Sequence, residues 1–93
     1  MNTIKWTTSS EDSYLTILES LRKDWNDDVA YNFYIAVERL IDGLKTFKNL
    51  CPQSAKLNNF RRCIINKYTS FTYRTTDNEV EIIAFYFNKT DLS

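Results

Sequence analysis

Between Lys48 and Arg74 the chain carries six cationic side chains, Lys48, Lys56, Arg61, Arg62, Lys67 and Arg74, and not one acidic residue. Ammonium and guanidinium groups gathered in this way can clamp a phosphate backbone or an acidic peptide. Lysines and arginines also serve to blunt a sheet edge against unwanted pairing, and that role competes for the same residues. The flanks are acidic: residues 1–47 hold five basic and eight acidic groups, and residues 75–93 hold one basic and four acidic, so a net charge of zero conceals the basic middle. There is no histidine in the chain. Proton transfer near neutral pH would therefore fall to a lysine or tyrosine with a strongly shifted pKa, while an arginine could supply charge only.

Other groups with chemical potential have simpler readings. Asp24, Asp27 and Asp28 lie close together, but with no histidine and no second acidic cluster they read as helix-capping charges, and neither a metal nor a cofactor is expected. Cys51 and Cys63 form no CxxC pair and follow no secretory signal, so they are read as reduced, small apolar residues of a cytoplasmic protein. No apolar run approaches the roughly 20 residues of a membrane helix, and no membrane association is expected.

The cations must be positioned by the stretch Phe60 to Phe87, which is rich in β-branched and aromatic residues and broken by a turn at Thr76-Asp77-Asn78. Strands are expected over residues 60–65, 68–75 and 80–87, with a tight turn at Asn66-Lys67. On the middle strand Thr69, Phe71, Tyr73 and Thr75 share one face, and Tyr68, Ser70, Thr72 and Arg74 form the row expected to meet solvent. Both rows of the last strand are apolar beyond Glu81, which predicts a central strand whose second face is covered by a partner chain or a second copy.

Before this sheet, Thr3 to Thr7 alternates as a short strand. Thr8 and Glu11 have capping-box spacing, so a helix is expected from Ser9 or Ser10, with Tyr14, Ile17, Leu18, Leu21 and Trp25 along one stripe. Asn26 caps a second helix running to about Phe47 with Val29, Ala30, Phe33, Val37, Leu40, Ile41 and Leu44 inward. Gly43 would permit close contact with the first helix or the sheet, and Pro52 sits in a loop leading back to the strands. At 93 residues this is a single α+β domain spanning 1–93: an N-terminal strand, an antiparallel helical hairpin and a three-stranded antiparallel meander, joined in a four-stranded sheet.

This order resembles the RelE/ParE toxin superfamily over nearly the whole chain. The resemblance rests on Ile4-Lys5-Trp6, Trp25 to Ala30, Leu44 to Pro52, Phe60 to Tyr68, Phe71 to Arg74 and Glu81 to Phe85, and is nearest to a ParE-like plasmid-stabilisation branch. It implies the toxin of a type II toxin-antitoxin pair, able to inhibit growth, held in a hetero-oligomer by a cognate antitoxin that wraps an extended or helical segment around it. Toxins of this kind either inhibit DNA gyrase or cleave messenger RNA on the ribosome.

Family nucleases use a basic cluster on the meander with an arginine and a tyrosine or histidine near the end of the chain. Here Arg61 or Arg62 and Arg74 match the cluster, Lys89 stands where arginine is common, no tyrosine or histidine follows it, and the usual Asp-Pro is missing. The resemblance thus assigns target contact to Arg61, Arg62, Arg74 and Lys89 without completing a nuclease site. That favours a toxin acting by binding, with gyrase as its target, over a ribosome-dependent endoribonuclease and over a non-enzymatic nucleic-acid-binding domain. Arg62 has a plainer alternative as a strand residue paired with Glu79 or Glu81.

Overall fold

Thr7 both ends the first strand and starts the first helix. In the computed structural model, which describes residues 1–88, its amide still donates to the Ile82 carbonyl of the sheet (3.1 Å) while its hydroxyl oxygen accepts the Ser10 amide (3.0 Å). The same hydroxyl donates to the carbonyls of Ile82 and Ile83, so the cap is tied to the sheet edge. The helix accordingly begins one residue before the Ser9 expected from Thr8 as cap.

The elements run β1 (Thr3–Trp6), α1 (Thr8–Asp24), α2 (Asp27–Thr46), β2 (Arg61–Ile64), β3 (Thr69–Thr75) and β4 (Glu79–Phe87). Asn26 caps α2 as expected, its side-chain oxygen accepting the Val29 amide at 2.9 Å. Asp27 and Asp28 occupy the first turn, where their charge meets unpaired backbone N–H groups. The four strands lie in the order β1-β4-β3-β2, with β1 parallel to β4 and the other neighbours antiparallel. Between β2 and β3, Asn66 Oδ1 accepts the amides of Tyr68 (2.8 Å) and Thr69 (2.9 Å), which fixes the turn.

The helices cover one face of this sheet. Ile17 and Leu21 of α1 and Ala30, Phe33, Val37, Ile41 and Leu44 of α2 are buried against Phe71, Tyr73, Val80, Ile82 and Phe85. Of the stripe expected on α1, Tyr14 and Leu18 pack at the margin and Trp25, which closes the helix, is 67% exposed.

A bulge reorganises β4. Thr72 pairs with Ala84 but Tyr73 pairs with Ile82, so Ile83 is an extra residue and the inward row passes from Val80 and Ile82 to Phe85. The strand is central, as its two apolar rows predict, and those rows arise partly because the strand changes which row faces inward. Beyond Ile82 β4 has no further β1 residue beside it, and Ser13 Oγ of α1 accepts the Phe85 amide at 2.9 Å.

Gly43 makes its close approach to neither the first helix nor the sheet but to Leu50, in the segment leaving α2. A Cβ there would lie 2.8 Å from Leu50 Cδ2. Leu50 is partly exposed and its side chain is free to turn away, whereas a helical Gly→Ala change gains about 1 kcal/mol. Gly43→Ala is therefore expected to raise stability by roughly 0.5–1 kcal/mol, and urea unfolding reporting a loss instead would mean that Leu50 is held in place.

Candidate target-binding face

The sheet face away from the helices collects the polar side chains of all four strands. Register places Arg62 opposite Thr72, Ser70 opposite Tyr86, and Arg74 opposite Glu81. Ser70 and Thr72, expected to meet solvent, are buried beneath their longer neighbours. The correction has a simple cause: short side chains in the middle strand are overhung by Arg62 and Tyr86, whose guanidinium carbon and ring centre lie 5.7 Å apart.

Arg62 is the centre of this face. One terminal nitrogen donates to Asn88 Oδ1 (2.9 Å) and to Ser70 Oγ (3.2 Å), and Ser70 Oγ in turn donates to Asn88 Oδ1. Asn88 is the joint of the group, because its amide nitrogen donates to the Tyr68 carbonyl at 2.7 Å and its side-chain nitrogen to the Lys67 carbonyl at 3.1 Å. The Arg62 Nε is buried with no hydrogen-bond partner among the described residues. An arginine fixed in this way against an aromatic ring is suited to grip a carboxylate or phosphate with its outer edge. The pairing of Arg62 with Glu79 or Glu81 does not occur among its contacts.

Those glutamates are taken by others. Arg74 Nε donates to Glu81 Oε1, and Lys5 Nζ lies 2.8 Å from Glu79 Oε2. The hydrogen bond that Lys5 donates to Glu79, followed by the negative charge of Glu79, raises the Lys5 pKa above its ordinary value. This end of the face is an exposed row of ion pairs, worth little to stability.

The remaining cations do not converge. Arg61, opposite Tyr73 in register, lies on the other face, where its guanidinium donates to the Cys51 carbonyl at 2.7 Å. Lys48 Nζ donates to the Asp77 carbonyl (3.1 Å) at the β3–β4 turn, and Lys67 sits over the Tyr68 ring. Lys89 lies outside the described residues. The structure thus brings Arg62 and Arg74 to one face and sends Arg61, Lys48 and Lys67 elsewhere. Ser70, Tyr86 and Asn88 were not singled out in the sequence, although Asn88 directly precedes the lysine that replaces the common arginine.

Tyr14 and Tyr73 are raised above the ordinary tyrosine value, chiefly by burial, and both belong to the core side. No group of histidine, cysteine or acidic residues among the described residues is arranged to hold a metal. No described helix is long and apolar enough to cross a membrane.

The structure also corrects the reading of Cys51 and Cys63 as free thiols. They form a disulfide, with Cα atoms 5.2 Å apart. Gln53 bridges Arg61 antiparallel, the Arg62 amide donates to the Pro52 carbonyl (3.0 Å) and the Ser54 amide to the Phe60 carbonyl (2.8 Å). The segment after Leu50 therefore lies along the outer edge of β2, and the two cysteines face each other in that register.

At the far end of the helices Leu21, Trp25, Val29, Tyr68 and Phe87 line an apolar groove of about 400 Å³. Trp25 and Tyr68 are 67% and 60% exposed, large apolar area for a small domain to leave in water.

No protein-family model and no curated protein matches the chain. Solved structures do. A chain of the chromosomal ParDE TA system from P. aeruginosa superposes with a TM-score of 0.79 at 15% identity, covering 96% of this chain and 98% of that one. A YoeB/ParE toxin from Agrobacterium tumefaciens gives 0.69 at 20% identity, over 92% and 98%. The YoeB-YefM complex from Staphylococcus aureus gives 0.65 at 13% identity, over 95% and 98%. At these identities the likeness establishes a shared fold, the RelE/ParE-like arrangement expected from the sequence.

Proposed function

We propose that this chain is the toxin of a type II toxin-antitoxin pair, acting in the cytoplasm by binding a cellular target, with DNA gyrase as that target, and neutralised by a cognate antitoxin. The observation that carries the reading is the open sheet face, where the Arg62 guanidinium is fixed by Ser70 and Asn88 against the Tyr86 ring. Such a face grips an anionic group without chemistry on it. A ribosome-dependent endoribonuclease needs a general base for the attacking 2'-hydroxyl, and neither a histidine nor a carboxylate is among the described partners of Arg62.

In this reading Arg62 is the principal target contact, Arg74 and Lys89 assist, and Arg61 supports the fold. The groove of Leu21, Trp25, Val29, Tyr68 and Phe87 receives apolar side chains of the antitoxin, whose acidic residues complement the basic middle of the chain. The pair forms a hetero-oligomer.

Expression from a tight promoter tests both readings together. The expected result is growth arrest with intact messengers and with gyrase supercoiling inhibited by purified protein. Arg62→Ala restores growth to the uninduced level, whereas Arg61→Ala leaves arrest in place wherever the variant remains folded. Codon-positioned cuts in messenger RNA would replace this reading with the endoribonuclease one.

A further inference from the structure

The two cysteines of this chain are both committed to one bond. Cys51 belongs to the segment leaving α2, and Cys63 to β2, the last strand of the sheet. Both are buried in the cluster of Phe33, Val37, Phe71, Ile82 and Phe85, at its β2 end. What the bond holds is the cover on the outer edge of β2. Apart from it, Pro52 to Ser54 meet that edge through only the Arg62 and Ser54 amides. Residue 62 is also the residue whose side chain centres the candidate face.

We propose that Cys51–Cys63 is a thiol-disulfide latch on the β2 edge. In the bonded form it keeps Pro52 to Ser54 paired to the strand and Arg62 fixed. In the dithiol form the cover loosens, the β2 edge opens to pairing, and Arg62 gains freedom. A dithiol reductant supplies the chemistry: its thiolate attacks one sulfur, the other cysteine leaves as a thiolate and takes a proton, and the second reductant thiol displaces the first cysteine. The reductant ends as a disulfide and the chain gains two thiols, so electrons and protons balance. Cys51 is the sulfur attacked first, since that residue keeps 6% of its exposure and Cys63 keeps none. The loosening stays local, because the Tyr73 hydroxyl and the Arg61 guanidinium hold the Cys51 backbone whatever the state of the sulfurs. The latch stands independently of the toxin assignment.

Amide hydrogen exchange on the full chain, with and without dithiothreitol, tests it. Reduction is expected to speed exchange at the Arg62 and Ser54 amides on the order of 100-fold, the factor such a cross-link gives to closing a short loop. Amides of the β3–β4 ladder, such as Ser70 and Tyr86, should change only a few-fold. The Cys51→Ala/Cys63→Ala double variant should exchange like the reduced chain and ignore the reductant. Unchanged protection at Arg62 overturns the latch, and so does an equal loss at Ser70 and Tyr86, which would make the bond a global staple. A thiol titration that finds two free thiols in untreated, air-oxidised protein overturns it at the first step.

Discussion

Tyr73→Ala will lower the unfolding free energy by roughly 3–5 kcal/mol, a large share of the approximately 5–15 kcal/mol expected of a domain this size. Tyr73 is fully buried in the centre of β3, beside Phe71, and its ring fills the space between the sheet and the segment that leaves α2. Its hydroxyl donates to the Lys48 carbonyl (2.8 Å) and accepts the Cys51 amide (3.2 Å), so one side chain satisfies two backbone groups of a segment with little regular structure. Tyr73→Phe separates the two contributions. It keeps the ring and orphans both backbone groups, for an expected loss of about 1–3 kcal/mol.

The phenol adds a pH dependence. Burial raises its pKa in the folded chain, outweighing the opposing effects of the Cys51 hydrogen bond and the Arg61 charge. The stabilisation from keeping it neutral is complete below the unfolded value of about 10 and is lost as pH rises through the folded value. Urea titrations at neutral and alkaline pH should therefore show wild type losing more stability than Tyr73→Phe across that window. Equal slopes for the two proteins would refute the assignment.

The second large effect is expected at Phe85. Its ring centre lies 5.3 Å from that of Trp6, 5.2 Å from Tyr14 and 5.0 Å from Phe71, joining β1, α1 and β3 through a single residue of β4. Phe85→Ala should cost about 3–5 kcal/mol and reduce the near-ultraviolet dichroism of Trp6, which stacks on it. Phe85→Leu keeps most of the apolar volume and loses the aromatic contacts, each worth about 0.5–1.5 kcal/mol, so it should fall between wild type and alanine. An alanine variant within 1 kcal/mol or so of wild type would mean that the cluster closes over the gap, against the usual behaviour of packed interiors.

Why Phe85 faces inward was not legible in the sequence. Strict alternation from Ile82 would have put Ala84 inward and Phe85 outward, and only the extra residue at Ile83 reverses them. A bulge leaves no signature in a run such as Glu-Ile-Ile-Ala-Phe-Tyr-Phe, where every choice of row is apolar. The helices were far more legible, because Asn26 has one obvious role and Phe33, Val37, Ile41 and Leu44 recur at helical spacing. The cap is the exception: Thr8 is expected, and Thr7, which takes the place, is held by contacts with Ile82 and Ile83, 75 and 76 residues away.

The candidate face divides in the same way. Alternation alone sends Arg61 and Arg62 to opposite faces, so at most one could join Arg74, and β2 pairing decided which. The partners of Arg62 were hidden because Ser70 and Asn88 are ordinary residues whose meeting depends on the β3–β4 register. The disulfide was hidden for a related reason: a separation of 12 residues says nothing until the segment after Leu50 is known to double back along β2.

The parallel pairing of β1 with β4 has a consequence for how the chain is made. Thr3 to Trp6 find their partners only in Glu79 to Ile82, so on a translating ribosome β1 waits until β4 has been made. During that wait α1 and α2 can form as a hairpin, but the apolar stripe of Ile17, Phe33 and Val37 has no sheet to cover it. Contacts of such long range form late and leave sticky intermediates exposed meanwhile. The nascent chain therefore has no assembled Arg62 face to present until β3 and β4 emerge, and interruption of translation before Phe85 yields a product unable to close its sheet.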